Sequence, residues 1–127
     1  MVYKKEEKMI KKQLENEQFD DSVRKKKKKN GKINLDYSLF EKDALVFREL
    51  ESNEITLQHN NEFILKMIFE GFPYLGIWTK PNAPFLCIEP WCGLADNANH
   101  NGNIEEKEGI NLLQPQEVFS RTIKIEL

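Results

Sequence analysis

The chain has 127 residues and a formal net charge of −2, with 39% hydrophobic and 31% charged residues. This length allows one domain with its own core, and the composition is typical of a soluble protein with a polar surface. It contains no apolar run of 18 residues and no apolar signal-peptide centre near Met1, so we expect neither a membrane span nor secretion. We therefore predict a cytoplasmic protein that does not bind a membrane.

Positive charge is concentrated near the N-terminus, where Lys25 to Lys29 are five consecutive lysines. Such a run could bind nucleic acid or a membrane surface, or it could be a solvated loop tip. No aromatic side chains alternate with these lysines for base stacking, which favours the solvated loop. We do not expect nucleic acid as a partner.

The remainder of the chain is dominated by short apolar or alternating runs, which predict β-strands. In chain order these are Ala44–Phe47, Ile55–Gln58, Phe63–Phe69, Tyr74–Trp78, Phe85–Glu89 and Phe119–Glu126. Turn residues separate them, at Asn30-Gly31, Ser52-Asn53, Asn60-Asn61, Gly71 with Pro73, Pro81-Asn82 and Gln114-Pro115. Short strands joined by such turns predict an all-β fold, an antiparallel β-sandwich.

Cys87 and Cys92 are the two cysteines, and both lie in one segment. They lack the companion ligands of a zinc site, so we predict free, buried or half-buried thiols and no metal. Nothing in the sequence calls for a cofactor.

Glu89 ends an apolar run and is followed by Pro90 and Trp91. A carboxylate at the end of a buried strand, beside an aromatic ring, suits a sugar site with a general base. A surface glutamate that simply ends a strand fits the spacing equally well. The residues alone leave both interpretations open.

Three motifs resemble those of a known family. They are Phe-x-x-Asp-Ala-Leu at Phe40–Leu45, Trp-x-Lys-Pro at Trp78–Pro81 and Cys-Ile-Glu-Pro-Trp at Cys87–Trp91. Together they resemble the aldose 1-epimerases (galactose mutarotases), and among these the LacX-like branch. The resemblance covers residues 35–127 well and residues 1–34 loosely, and a full member is about twice as long. It implies that the fold is part of the galactose mutarotase-like supersandwich. In residues 1–34 it implies strands and a lysine-rich loop, although Met1–Leu14 could also form a short charged helix.

The resemblance also implies a reaction. Aldose 1-epimerases interconvert the anomers of a sugar by acid/base ring opening, and Glu89 stands where the family has its general base. Asp43 stands where an aspartate binds sugar hydroxyls, although it could instead cap the strand that begins at Ala44. Trp91 is the candidate for packing against a pyranose, whereas Trp78 is interpreted as core packing.

The family's general acid is a histidine from the N-terminal half of the protein. This chain has only His59 and His100, and neither lies in a motif that resembles the family's histidine segments. The resemblance therefore implies a fragment of an isomerase that acts on a small sugar such as a hexose and is weak or inactive alone. The alternative is a non-catalytic carbohydrate-binding β-sandwich. In either case exposed sheet edges would favour pairing with a separately encoded N-terminal half, or self-association.

Overall fold

The structure is a computed structural model that describes residues 2–3, 10–15, 18–25, 32–48 and 50–127, and for the first three of these ranges only the backbone. Within these ranges it has nine strands: β1 (Val2–Tyr3), β2 (Ile10–Glu15), β3 (Gln18–Lys25), β4 (Leu45–Arg48), β5 (Glu54–His59), β6 (Glu62–Ile68), β7 (Tyr74–Trp78), β8 (Cys87–Trp91) and β9 (Lys124–Glu126). The lysine run beyond Lys25 and the Asn30-Gly31 turn lie outside the described residues.

These strands form three antiparallel sheets. A four-stranded sheet has the order β1-β5-β6-β9, a three-stranded sheet has the order β4-β7-β8, and β2 pairs with β3. In the described residues, helical structure is limited to two 3₁₀ turns, Tyr37–Phe40 and Ile104–Glu106. The all-β, antiparallel prediction is confirmed. No helix in these ranges has the length and hydropathy needed to cross a membrane.

The core lies between the four-stranded and the three-stranded sheets. Side chains alternate along each strand, so β4 and β7 each bury one face against β5 and β6. The buried cluster is Phe40, Leu45, Phe47, Ile55, Met67, Phe69, Leu75 and Ile77. Because this cluster uses one face of the three-stranded sheet, the opposite face of that sheet remains available for other side chains.

Turn residues act as the sequence predicts. Asn60 and Asn61 have φ values of 51° and 64° and connect His59 to its cross-strand partner Glu62. Two positive φ values in a two-residue hairpin loop are the mark of a type I′ turn, which Asn tolerates better than most residues. At Lys80–Ala83 the Ala83 N–H donates to the Lys80 carbonyl at 3.0 Å, with Asn82 at φ 63°. This second turn follows β7 on the way to β8.

Two strand predictions require correction. β8 begins at Cys87 rather than Phe85 and continues through Pro90 to Trp91, so Glu89 is the middle residue of the strand and not its end. Phe85 is still part of the preceding turn, because its N–H donates to the Ala83 carbonyl at 3.0 Å. Pro90 is tolerated because β8 is an edge strand among the described strands, and an edge strand does not require every N–H for pairing.

The predicted C-terminal strand Phe119–Glu126 is reduced to β9, Lys124–Glu126. Its last pair joins Lys124 to Ile68, where β6 ends. Beyond Ile68 the chain turns at Gly71 (φ 81°), so β6 offers residues 119–123 no further pairing position. Instead, Arg121 donates from Nε to the Gly71 carbonyl at 2.8 Å.

Candidate functional site

The outer face of the three-stranded sheet, opposite the core, brings together side chains from β7 and β8. The register pairs Tyr74 with Trp91, Gly76 with Glu89, and Trp78 with Cys87. Because alternate residues point to the same side, these six positions share one face. Val46 of β4 lies in the same row as Gly76 and Glu89.

Glu89 is held by two tryptophans. Trp78 donates its indole N–H to Oε1 at 2.7 Å, and Trp91 donates its indole N–H to Oε2 at 3.1 Å. An indole N–H can only donate, so both carboxylate oxygens act as acceptors. Each oxygen has a further lone pair, and one of these accepts from the Cys87 thiol. The half-buried carboxylate is therefore a fixed group that can still accept from a hydroxyl group.

Gly76 makes room for one of these rings. A Cβ on Gly76 would lie 2.4 Å from Cζ2 of Trp91, far inside van der Waals contact. The Trp91 ring therefore lies over the glycine, and it also packs with Val46 and Leu94. The residue opposite Glu89 must lack a side chain for the Trp91 indole to reach the carboxylate in this way.

Cys87 lies on the same face, two residues before Glu89. Burial is the main cause that raises the pKa of its thiol, and the charge of Glu89 and a hydrogen bond to that carboxylate raise it further. Cys87 and Cys92 are both free and half-buried, as the sequence predicted. Within the described residues no group of three His, Cys, Asp or Glu side chains is arranged to hold a metal ion.

Asp43 lies just before β4, and Glu89 lies on β8, with β7 between these two strands. Along β4, Val46 is in register with Gly76 and Glu89, and Asp43 lies three residues before Val46. Its Oδ1 accepts a hydrogen bond from the Ala44 N–H at 2.6 Å, which fits the strand-capping alternative. The role of Asp43 in sugar binding stays a prediction.

The two histidines have hydrogen-bond partners other than Glu89. His59 is exposed in the β5–β6 hairpin, where Nε2 is 3.2 Å from Asn60 Nδ2. His100 follows β8 in a loop, and its Nδ1 accepts from the Gly102 N–H at 3.1 Å. In the described part of the chain neither histidine forms a hydrogen bond with Glu89.

Glu89 is half-buried, and Trp78 beside it is 36% exposed. Two hollows on the described surface, of about 380 and 320 Å³, are lined by other residues. One lies between the Gly71 turn and residues 120–124, and the other lies beside Arg48 and Tyr74. A half-buried acceptor can bind a hydroxyl group but cannot by itself exclude water from the bound molecule.

The sequence missed part of this site. Trp78 was interpreted as packing, which overlooked its hydrogen bond to Glu89. Counting by twos from Glu89 points to Cys87 and Trp91, which share its strand. Trp78 lies on another strand, and the long connection at residues 79–86 does not reveal the register between the two.

Comparisons with known proteins give a consistent result, although no family model matches the chain. LacX of Lactococcus lactis subsp. lactis, in both its plasmid and its chromosomal form, is 32% identical over 95 residues. That match covers 73% of this chain and 32% of LacX, so the chain spans about a third of the length of these curated relatives. The X-ray structure of a galactose mutarotase-related enzyme from Lactobacillus acidophilus superposes with a TM-score of 0.82 at 26% identity, covering 98% of this chain and 43% of the other.

The contact between Gly76 and Trp91 predicts the effect of a methyl group. Gly76→Ala should displace the Trp91 ring, break its hydrogen bond to Glu89 and lower the free energy of unfolding by about 1–3 kcal/mol. The chain has two tryptophans, so the two indole N–H signals in a nitrogen–proton NMR spectrum report on Trp78 and Trp91 separately. Gly93→Ala is the comparison variant, because its Cβ would lie 3.3 Å from the Gly109 carbonyl oxygen, a tight contact that does not involve Trp91. It can lower stability, but it should leave the hydrogen bond from Trp91 to Glu89 in place. An unchanged Trp91 signal in Gly76→Ala would contradict this account.

The raised pKa of Cys87 gives a second prediction. In a Cys92→Ser background, Cys87 should react slowly with iodoacetamide near pH 8, where an ordinary thiol with a pKa of about 8.5 is partly ionised. Replacing Glu89 with Gln removes the negative charge that raises the pKa of Cys87, so alkylation at the same pH should become faster. Glu62→Gln is the control, because Glu62 is an exposed carboxylate on the other sheet and its loss should leave the rate unchanged. No acceleration in Glu89→Gln would rule out the coupling.

Proposed function

The chain belongs to the LacX-like branch of the aldose 1-epimerase (galactose mutarotase) family, and on this basis we propose that it takes part in interconverting the anomers of an aldose. The substrate is a hexose in its pyranose form, and Glu89 is the general base. The observation that supports this most is the half-buried carboxylate of Glu89, fixed by two indole N–H groups on the outer face of the sheet.

The proposed reaction is a proton transfer at each side of the sugar ring. The base removes the proton of the anomeric hydroxyl while an acid protonates the ring oxygen, and the bond between C1 and the ring oxygen breaks. The resulting aldehyde rotates about the C1–C2 bond. Closure on its other face reverses the two proton transfers and gives the other anomer.

Glu89 fits the role of base for a geometric reason. The two tryptophans use one acceptor position on each oxygen, which fixes the direction of those that remain. A carboxylate held in one orientation can accept the anomeric proton without first losing the entropy of a flexible side chain. Asp43 and Trp91 are retained as candidate substrate-binding residues in this proposal.

The general acid is proposed to come from a polypeptide segment other than these 127 residues. We propose residues 35–127 as the C-terminal part of the sandwich domain and residues 1–34 as a more loosely matching N-terminal part. His59 is in the other sheet, and the Nδ1 of His100 is used within its own loop. Neither histidine is hydrogen-bonded to Glu89 in the described part of the chain, and we assign neither of them as the acid.

A second candidate function is carbohydrate binding without turnover. The observation that favours it is that, in the described residues, Glu89 is hydrogen-bonded to tryptophans and to neither histidine. A base without its acid can still accept hydrogen bonds from sugar hydroxyls. In this alternative Glu89 and the aromatic rings bind the sugar and the chain releases it unchanged.

An exposed apolar edge supports a protein partner in either case. Ile125 of β9 pairs with the buried Met67, yet 57% of its surface is exposed. Ile123 and Leu127, which alternate with it, are also exposed. We propose that the N-terminal half of a LacX-like sandwich covers this edge, with self-association of the chain as the alternative.

The role of Glu89 is tested in a chimera in which this chain replaces the corresponding part of the Lactobacillus acidophilus mutarotase-related enzyme. Glu89→Gln should slow the anomerisation of α-glucose or α-galactose by about a hundredfold or more, because a positioned general base is lost. Polarimetry measures the rate, and circular dichroism checks that the fold is retained. The full rate in Glu89→Gln would exclude Glu89 as the base.

The missing acid is tested on the 127-residue chain alone. Its anomerisation rate in polarimetry should be close to that of buffer at the same pH. His59→Ala and His100→Ala should leave that rate unchanged. A strong rate that collapses in either histidine variant would show that the chain carries its own acid.

A further inference from the structure

We propose that Trp78 and Phe85 form an aromatic platform that binds the C–H face of the pyranose beside Glu89. This proposal rests on the proposed function only in that it places a sugar at this carboxylate. A pyranose has hydroxyl groups around its rim and C–H groups over part of its face. A site that combines an acceptor with a flat aromatic surface fits both features.

Trp78 can use its edge and its faces for different purposes. Its N–H lies in the ring plane and donates to Oε1 of Glu89 at 2.7 Å. This hydrogen bond uses one edge of the indole and neither of its faces. The residue is still 36% exposed. Any sugar that rests on this indole would therefore lie within reach of the carboxylate that the same indole holds.

Phe85 extends the aromatic surface. Its ring is 5.5 Å from the Trp78 ring, centroid to centroid, with an interplanar angle of 84°. In this edge-to-face arrangement each ring keeps aromatic area that the other does not cover, and Phe85 is 45% exposed. The two rings form a corner rather than a single plane, which would limit the orientations of a bound pyranose.

The backbone around Phe85 is fixed in several places. Its N–H donates to the Ala83 carbonyl at 3.0 Å, and its own carbonyl accepts from the buried Thr79 hydroxyl. The Tyr37 hydroxyl donates to the Ala83 carbonyl at 3.0 Å, which ties the 3₁₀ turn at Tyr37–Phe40 to this connection. The platform is thus organised before any ligand arrives, which reduces the entropy lost on binding.

Trp91 is less suited to stacking. Its ring lies over Gly76 on one side and packs with Val46 and Leu94. Burial of this kind holds the indole N–H on Glu89 but leaves less of the ring for a ligand. We therefore assign stacking to Trp78 and Phe85 and positioning of the carboxylate to both tryptophans.

The experiment uses a ring sugar that cannot react. A 1-deoxy-hexopyranose has no anomeric hydroxyl and cannot be opened, so its binding is independent of turnover. It is titrated into the 127-residue chain and into the chimera, and the indole N–H signals of Trp78 and Trp91 are followed in each. The sugar should shift the Trp78 signal more than the Trp91 signal. Sorbitol, an open-chain polyol without a rigid C–H face, should give a much smaller shift.

Three variants locate the platform. Phe85→Ala should weaken binding of the 1-deoxy sugar about threefold to tenfold, as expected for loss of one aromatic contact. Trp78→Phe keeps an aromatic face but loses the N–H, so it should bind within a few-fold of the parent while slowing anomerisation in the chimera. Phe63→Ala is the matched control, because Phe63 is 50% exposed but lies on β6 of the other sheet.

The outcomes separate the platform from the general base. Equal binding by Phe85→Ala and Phe63→Ala, or no shift of the Trp78 signal at saturating sugar in chain and chimera, would overturn the platform. Loss of binding in Phe85→Ala together with full anomerisation in Glu89→Gln would support the platform and reject Glu89 as the base. The expected result is weaker binding of the 1-deoxy sugar by Phe85→Ala and unchanged binding by the control Phe63→Ala.

Discussion

The carboxylate of Glu89, shared between the indole N–H groups of Trp78 and Trp91, is the interaction on which the site depends. It joins two strands on the outer face of the three-stranded sheet through side chains as well as through backbone pairing. It also requires a residue without a side chain at Gly76, because the Trp91 ring occupies that space. A carboxylate, two large rings and a glycine therefore act as one unit.

The opposite faces of the same strands pack into the hydrophobic core. Leu75 and Ile77 of β7 are fully buried toward the four-stranded sheet, while Gly76 and Trp78 belong to the outer face. Alternation along a strand thus separates the residues that stabilise the fold from those that form the site. Substitutions such as Glu89→Gln can for this reason test chemistry without disturbing the main core.

The edge position of β8 among the described strands matters to this arrangement. An edge strand has a backbone neighbour on one side only, so Pro90 can follow Glu89 without breaking a pairing on the other side. The four-stranded sheet ends in a different way, with apolar side chains of β9 exposed on the side that should face a core. The chain matches 43% of the structure it superposes on, and in our proposal the remainder of such a sandwich covers this edge.

The sequence by itself determined the features that depend on neighbouring residues. Alternation predicted β5, β6 and β7, and Asn60-Asn61 predicted a tight hairpin. These succeed because side-chain alternation and the φ preference of Asn act over a few residues. The sequence also marked Glu89 as a candidate base at a strand end, but Glu89 lies in the middle of β8, and its role as base stays a prediction. Only the tertiary structure decided that Trp78 holds Glu89, that β7 lies between β8 and the strand that follows Asp43, and that β9 is three residues long. Each of these depends on which strand lies beside which, and in what register, and contacts between distant parts of the chain set that arrangement.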